Sequence, residues 1–202
     1  MYLVRPPFFL KWYYPGVLWR KNKTNKTLYL TFDDGPVPEI TPFVLDVLDK
    51  YNIKATFFCV GQNVEKHPEI FMRIKSAGHR IGNHTHHHLK GWEHTDKDYL
   101  KDIGLCHEQT RSSLFRPPYG RMKRSQLKEI RKKFDIVMWD VLSGDFDTNL
   151  SPKACFGYVK KYTRPGSIVV FHDNPKALPR LEYALPQTIE YFQKKGFNFG
   201  LL

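Results

Sequence analysis

Strand-like and helix-like patterns take turns along almost the whole of this 202-residue chain, and that alternation limits the fold more than any other feature. Thr27 to Phe32 alternates apolar and polar residues and reads as a strand. Ile40, Phe43, Val44, Val47, Leu48 and Tyr51 then recur with helical period, and Ala55 to Val60 is an apolar, β-prone run. Pro68 to Ala77 predicts a helix stopped by Gly78, followed by a short strand around His79 to Gly82. Thr95 is placed to cap a helix running towards Thr110, Leu114 to Arg116 reads as a short strand, and Ser125 as the cap of the next helix. Phe134 to Val141 reads as one strong strand. Ser151 and Pro152 form a helix start, Ser167 to Phe171 a strand, and Pro179 to Lys195 a helix that Pro186 kinks or divides. Phe197 to Leu202 is a candidate last strand. About seven β/α units in one run imply a parallel sheet, open or closed into a barrel. No linker, repeat or low-complexity tract interrupts them.

Composition narrows the class. With 41% hydrophobic and 15% aromatic residues in 23.9 kDa, the chain can bury the core of a single domain. No apolar run approaches a membrane span. The net charge of +12 points to an anionic neighbour, such as nucleic acid, anionic lipid or an acidic polymer, or simply to a basic soluble protein. No zinc-finger or RNA-binding signature is present, so no nucleic-acid partner is expected. Cys59, Cys106 and Cys155 are odd in number and widely spaced, which suggests buried free thiols rather than a disulfide framework.

Met1 to Leu10 lacks a basic start, contains Pro6 and Pro7 and meets Lys11 before an apolar run develops, so it does not read as an export signal. The expectation is a cytoplasmic protein with reduced cysteines. The aromatic and basic stretch from Trp12 to Arg20 is read as packing on its own domain, with contact to an anionic membrane or polymer as the alternative.

The residues with chemistry cluster at strand ends. Asp33 and Asp34 end the first strand, His84 follows the third, Arg116 ends the fourth, Asp145 follows the fifth and His172 ends the sixth. The carboxyl ends of parallel strands are where such folds build active sites. Adjacent carboxylates at a strand end point in different directions, so one is free to bind a metal and the other to face a reacting water. Taken alone, Asp-Asp-Gly-Pro is also an ordinary turn. In His84-Thr85-His86-His87-His88, a helical turn would put His84 and His88 on one face, like two metal ligands. Thr85 stands where a zincin would carry Glu, so that mechanism is not indicated. His86 and His87 read as neighbours of the ligands. Arg116-Pro117-Pro118-Tyr119-Gly120 is a stiff turn whose Arg can hold a carboxylate. A backbone N–H there is a candidate for preorganised oxyanion binding. Asp145 offers a carboxylate to orient a histidine, or caps a turn. His172 alone, at a strand end, is more often a structural hydrogen bonder than a proton donor.

Together these clusters resemble the polysaccharide deacetylase family, carbohydrate esterase family four, whose chitooligosaccharide deacetylase homology domain shows the same motifs in the same order. They are Thr31 to Pro36, His84 to His88, Arg116 to Gly120, the segment ending Asp145-Phe146, and Val170-Phe171-His172. The resemblance runs from about Thr27 to the C-terminus, which divides the chain into an N-terminal extension, 1–26, and a catalytic domain, 27–202.

The resemblance implies a distorted, TIM-barrel-like (β/α) barrel of parallel strands. It implies a divalent metal, commonly Zn2+ with Co2+, Ni2+ or Mn2+ as alternatives, held by Asp34, His84 and His88. Asp33 would be the general base with Arg116 its partner, and His172 the general acid oriented by Asp145. The backbone N–H of Tyr119 would help bind the oxyanion, and Pro117, Phe146 and Val170 would line the substrate pocket. The expected reaction is hydrolysis of the N-acetyl group of an amino sugar in a peptidoglycan- or chitin-type glycan. A metal acidifies water, a carboxylate takes its proton, and an acid protonates the departing amine. Two positions depart from the family pattern: Phe146 stands where Trp is usual, and Val170 where Leu is usual. Both keep an apolar wall and bear on substrate preference. The alternatives are a non-catalytic carbohydrate binder on the same fold and a metal-dependent amidase acting on a non-sugar amide.

Overall fold

The computed structural model describes residues 3–21 and 24–202. Residues 1, 2, 22 and 23, all within the N-terminal extension, lie outside the described residues. The two-residue period at the start of the sheet decides its two faces. In β1 (Thr27–Asp33), Leu28, Leu30 and Phe32 are buried against the surrounding helices, while Thr31 and Asp33 face the inside of the curled sheet. β2 (Thr56–Cys59), β3 (Arg80–Asn83), β4 (Leu114–Phe115) and β5 (Asp135–Ile136) extend the sheet on one side of β1. β7 (Ile168–His172) and β6 (Val141–Leu142) extend it on the other, and β8 (Asn198–Phe199) adds to the start of β1. Every pairing between these strands is parallel. The result is a parallel α/β sheet, as the β/α alternation implies, curled into a half-barrel with β5 and β6 as its two ends.

The helices cover the outside. α2 (Ile40–Lys50), α7 (Pro152–Tyr162) and α8 (Leu178–Lys194) supply Val44, Leu48, Val159, Leu185 and Ile189 to the main core. α3 (Gly61–Lys66), α4 (Pro68–Ser76), α5 (Asp96–Thr110) and α6 (Arg124–Ile130) complete the layer. Thr95 caps α5 by accepting from the Asp98 N–H, and Ser151 caps α7 by accepting from the Ala154 N–H, both as the sequence predicts.

Four local readings are corrected. The segment 134–141 is not one strand. Residues 135–136 pair with β4 and residues 141–142 with β7, so residues 137–140 carry the chain from one end of the sheet path to the other. A single strand cannot stay in register with both ends of a curled sheet. Ser125 is not the cap of α6: Lys123 is, and the returning Gln126 side chain accepts from its N–H at 2.8 Å. Pro186 does not divide α8, because the carbonyl it leaves free belongs to the exposed Glu182, which water can reach. The run 84–88 is not a helical turn. Thr85 and His88 adopt left-handed φ of 63° and 57°, and the loop is held by side chains instead.

The N-terminal extension is tied to the domain. α1 (Phe9–Tyr13) follows a stretch in which Arg5 donates to the Tyr162 carbonyl and the Leu142 N–H donates to the Val4 carbonyl at 2.8 Å. The buried Tyr14 donates to the Met122 carbonyl at 2.8 Å, and Leu18 bridges to Val137 at the seam between β5 and β6.

Candidate active site

The register of β1 builds the centre of the site. Asp33, its last residue, pairs with His172, the last residue of β7, although 139 positions separate them. Asp34 leaves the strand with φ of 90°. That turn is unfavourable for a non-glycine residue, by roughly 1–3 kcal/mol, and it sends the two carboxylates in different directions. Gly35 follows because a Cβ there would fall 1.9 Å from Asp173 Oδ2.

Asp33 faces inward. Arg116, fully buried, donates from Nη1 to Asp33 Oδ1 at 2.6 Å and to Thr31 Oγ1 at 2.8 Å. Its Nη2 donates to the Met138 carbonyl at 3.0 Å, and its guanidinium lies 4.0 Å from the centre of the Phe58 ring. A cation so enclosed is compensated on every side, which fixes the carboxylate it holds.

Asp34 faces the histidines. Its Oδ1 lies 3.1 Å from His88 Nε2 and 3.6 Å from His84 Nε2, and the donor atoms of the three residues all fall within 4.8 Å of one another. His84 Nδ1 is 2.8 Å from the Arg116 carbonyl, so Nδ1 carries the proton and Nε2 the lone pair. Burial lowers the His84 imidazole to about 4, which keeps it neutral. Burial raises the Asp34 carboxyl, but the hydrogen bond to His88 and the nearby histidine charges outweigh it and hold Asp34 well below the usual carboxylate range. One anionic carboxylate and two imidazoles are a donor set suited to a borderline divalent ion such as Zn2+.

His172 stands opposite. Asp145 holds it twice, accepting from the His172 backbone N–H at 2.6 Å and from Nδ1 at 2.8 Å. Burial lowers the His172 imidazole, but Asp145 and then the Asp34 and Asp33 charges prevail and raise it to about 9. The Phe146 ring packs edge-on against His172 at 5.2 Å. Pro117, Tyr119, Phe146 and Val170 all line one cleft of about 1150 Å³ that also contains Asp33, Asp34, His84, His88 and His172. Tyr119 sits in a 3₁₀ turn with φ of 59°, its ring tilted over His88 at 4.8 Å. Arg116 and Asp145 support the cleft from behind. The structure therefore brings every predicted site residue to one place.

Several supporting residues escaped the sequence reading. Asp102 accepts from the His86 and His87 backbone N–H groups, at 2.8 and 3.0 Å, and its Oδ1 lies 2.5 Å from His87 Nδ1. It pins the loop, and it makes His86 and His87 parts of the scaffold. The signal was available: Asp102 falls on the buried stripe of α5 with Tyr99, Ile103 and Cys106. Asn174 donates to Asp34 Oδ2 at 2.6 Å, and Asn63 to the Asp34 carbonyl at 2.7 Å. Asp173 accepts from the Gly35 N–H at 2.9 Å and from Thr41 at 2.6 Å, while burial pushes its carboxyl up to about 8. The cleft also has a wall that no motif announced, formed by Pro6, Pro7, Phe9, Leu10 and Tyr13 of the N-terminal extension.

Known proteins resemble this chain in sequence and in fold. The sequence profile described as polysaccharide deacetylase matches residues 20–138. A peptidoglycan-N-acetylglucosamine deacetylase of Bacillus cereus is 37% identical over 181 residues, covering 86% of this chain and 66% of the relative. The peptidoglycan-N-acetylmuramic acid deacetylase PdaA of Bacillus subtilis is 32% identical over 192 residues, covering 88% and 70%. The crystal structure of the Bc1960 peptidoglycan N-acetylglucosamine deacetylase superposes with a TM-score of 0.90 at 33% identity, covering 98% of this chain and 95% of that one.

Proposed function

The chain belongs to the polysaccharide deacetylase family, and on that premise we propose that it is a metal-dependent hydrolase removing N-acetyl groups from amino sugars of a peptidoglycan- or chitin-type glycan. One observation carries the reading. Three residues whose donor atoms could hold a metal ion, a second carboxylate held by a buried arginine and a histidine held by a buried aspartate all meet in one cleft. The names of the relatives support the sugar N-acetyl group as the substrate class, and the donor set supports the metal.

Asp34, His84 and His88 would hold the ion. When bound, a divalent ion lowers the pKa of water at the site and polarises the acetyl carbonyl. The remaining work falls to the protein. Asp33, oriented by Arg116, accepts a proton from the attacking water as the new carbon–oxygen bond forms. The Tyr119 turn, which follows Pro117, would offer a backbone N–H to the developing oxyanion. His172, kept protonated by Asp145, then donates a proton to the sugar nitrogen as the carbon–nitrogen bond breaks. The products are acetate and a free amino sugar, and the two proton transfers balance. Phe146 and Val170 form the apolar wall beside His172.

The test is acetate release from N-acetylchito-oligosaccharides, from peptidoglycan and from simple amides by metal-reconstituted protein. Release from the glycans with Asp33→Asn silent is the expected result. Release from the simple amides alone would replace the sugar reading with an amidase. No release from any of them would leave a binding protein.

A further inference from the structure

We infer that the N-terminal segment is a docking surface for an anionic lipid bilayer, placed beside the mouth of the catalytic cleft. The observation is the combination of charge and aromatic exposure in residues 1–26. This stretch contains Arg5, Lys11, Arg20, Lys21, Lys23 and Lys26 and no acidic residue, so it carries half of the chain's net charge of +12; Arg5 and Arg20 fasten it to the domain by donating to the Tyr162 and Pro165 carbonyls, which leaves the lysines for an outside partner. On α1 and at the residue just before it, apolar rings are exposed: Trp12 is 76% exposed and Phe8 69%. They form a cluster, with Phe8 edge-on to Phe9 at 6.2 Å and to Trp12 at 5.4 Å. Contiguous exposed apolar side chains of this kind mark an interaction surface.

The chemistry selects the occupant. A sugar packs its C–H face flat against an aromatic ring, but Phe8 stands edge-on to both Phe9 and Trp12, at 76° and 86°, so the cluster is an uneven apolar knob rather than a flat platform for a glycan. A second copy of the chain would bring two strongly basic segments together. An anionic bilayer supplies both an acyl boundary for Phe8 and Trp12 and a negative surface for the lysines. Trp12 suits that boundary, since its ring is apolar and its indole N–H can reach a headgroup. Among the described residues no helix is long and apolar enough to cross a membrane, and the proposed contact is with the surface. The segment is also firmly mounted, through Arg5, Tyr14 and the Leu18 bridge described above. Phe9 belongs to the cluster and also lines the cleft, so docking would hold the cleft mouth at the lipid surface.

The docking claim is independent of the deacetylase reading, and its test reads binding rather than turnover. The full chain is mixed with vesicles of phosphatidylcholine containing one third phosphatidylglycerol, and separately with pure phosphatidylcholine vesicles, then sedimented. Binding to the anionic vesicles is expected to exceed binding to the neutral ones and to weaken with added salt. The double variant Phe8→Ser, Trp12→Ser is expected to bind about tenfold more weakly or less, with an unchanged melting temperature and unchanged acetate release from a soluble oligosaccharide. In the unmutated protein, bromine-labelled acyl chains are expected to quench tryptophan emission in a way that Trp12→Tyr removes. Wild-type protein that stays in solution with anionic vesicles at low salt overturns the inference. So does a variant that binds as tightly as wild type, or a concentration-dependent dimer that Trp12→Ser dissolves.

Discussion

Arg116→Met removes a guanidinium from the middle of the protein and replaces it with an apolar chain of similar length. The structure shows what that leaves behind. Asp33, only 4% exposed, loses its charge partner at 2.6 Å, and the Val137 and Met138 carbonyls lose their donors at 3.3 and 3.0 Å. Breaking a buried ion pair by deleting one side costs about 3–5 kcal/mol, because the remaining charge is uncompensated. Each buried carbonyl left unpaired adds roughly 1–3 kcal/mol unless water enters. The contributions share one site and do not simply add, so the expected loss is at least about 4 kcal/mol. That is a large part of the 5–15 kcal/mol that typically holds a domain together. For a chain of this length it lowers the melting temperature by about 8 °C or more. Urea unfolding of the metal-free protein measures it. Asp33→Asn added to Arg116→Met is expected to recover part of the loss, since it removes the stranded charge, and Arg116→Lys to fall between. A loss under about 1 kcal/mol, the value of an exposed pair, would refute the burial and the pairing on which Asp33's role depends.

Metal content separates ligands from proton carriers: His84→Ala, His88→Ala and Asp34→Ala are each expected to abolish stoichiometric zinc uptake by titration calorimetry. Asp33→Asn is expected to bind zinc normally and to lose turnover by about 10²–10⁴-fold or more, the range for general acid–base groups. In metal-free protein, the His172 imidazole is raised to about 9 from an ordinary value of 6.5. Its contribution to stability is therefore complete below about pH 6.5 and is lost as pH rises through about 9. Urea unfolding across that window, alongside Asp145→Asn in which the difference shrinks, checks the sign. Cys59, Cys106 and Cys155 are all free and buried, and burial raises all three thiols, Cys106 to about 12. The native protein is expected to be silent to an aromatic disulfide reagent and to react at all three positions once unfolded.

The sequence by itself determined the parallel α/β architecture and the motifs that line the candidate site. Both are local properties. Period-two and period-3.6 patterning marks strands and helices, and strand-terminal polar motifs such as Asp33-Asp34-Gly35-Pro36 mark where a parallel sheet exposes its chemistry. Only the tertiary structure decided how those groups are arranged around one cleft. The pairing of Asp33 with His172 is a fact of strand register between β1 and β7, and the burial of Arg116 a fact of sheet curvature. The two halves of 134–141 separate for the same reason, since each pairs with a different end of the curled sheet. The His84–His88 loop is non-helical because Asn83, Thr85 and the distant Asp102 satisfy its backbone. The N-terminal wall of the cleft depends on contacts such as Leu142 to Val4 and Tyr14 to Met122, which join residues far apart in the chain. A short-range pattern cannot encode a pairing across more than a hundred residues; packing of the whole chain decides it.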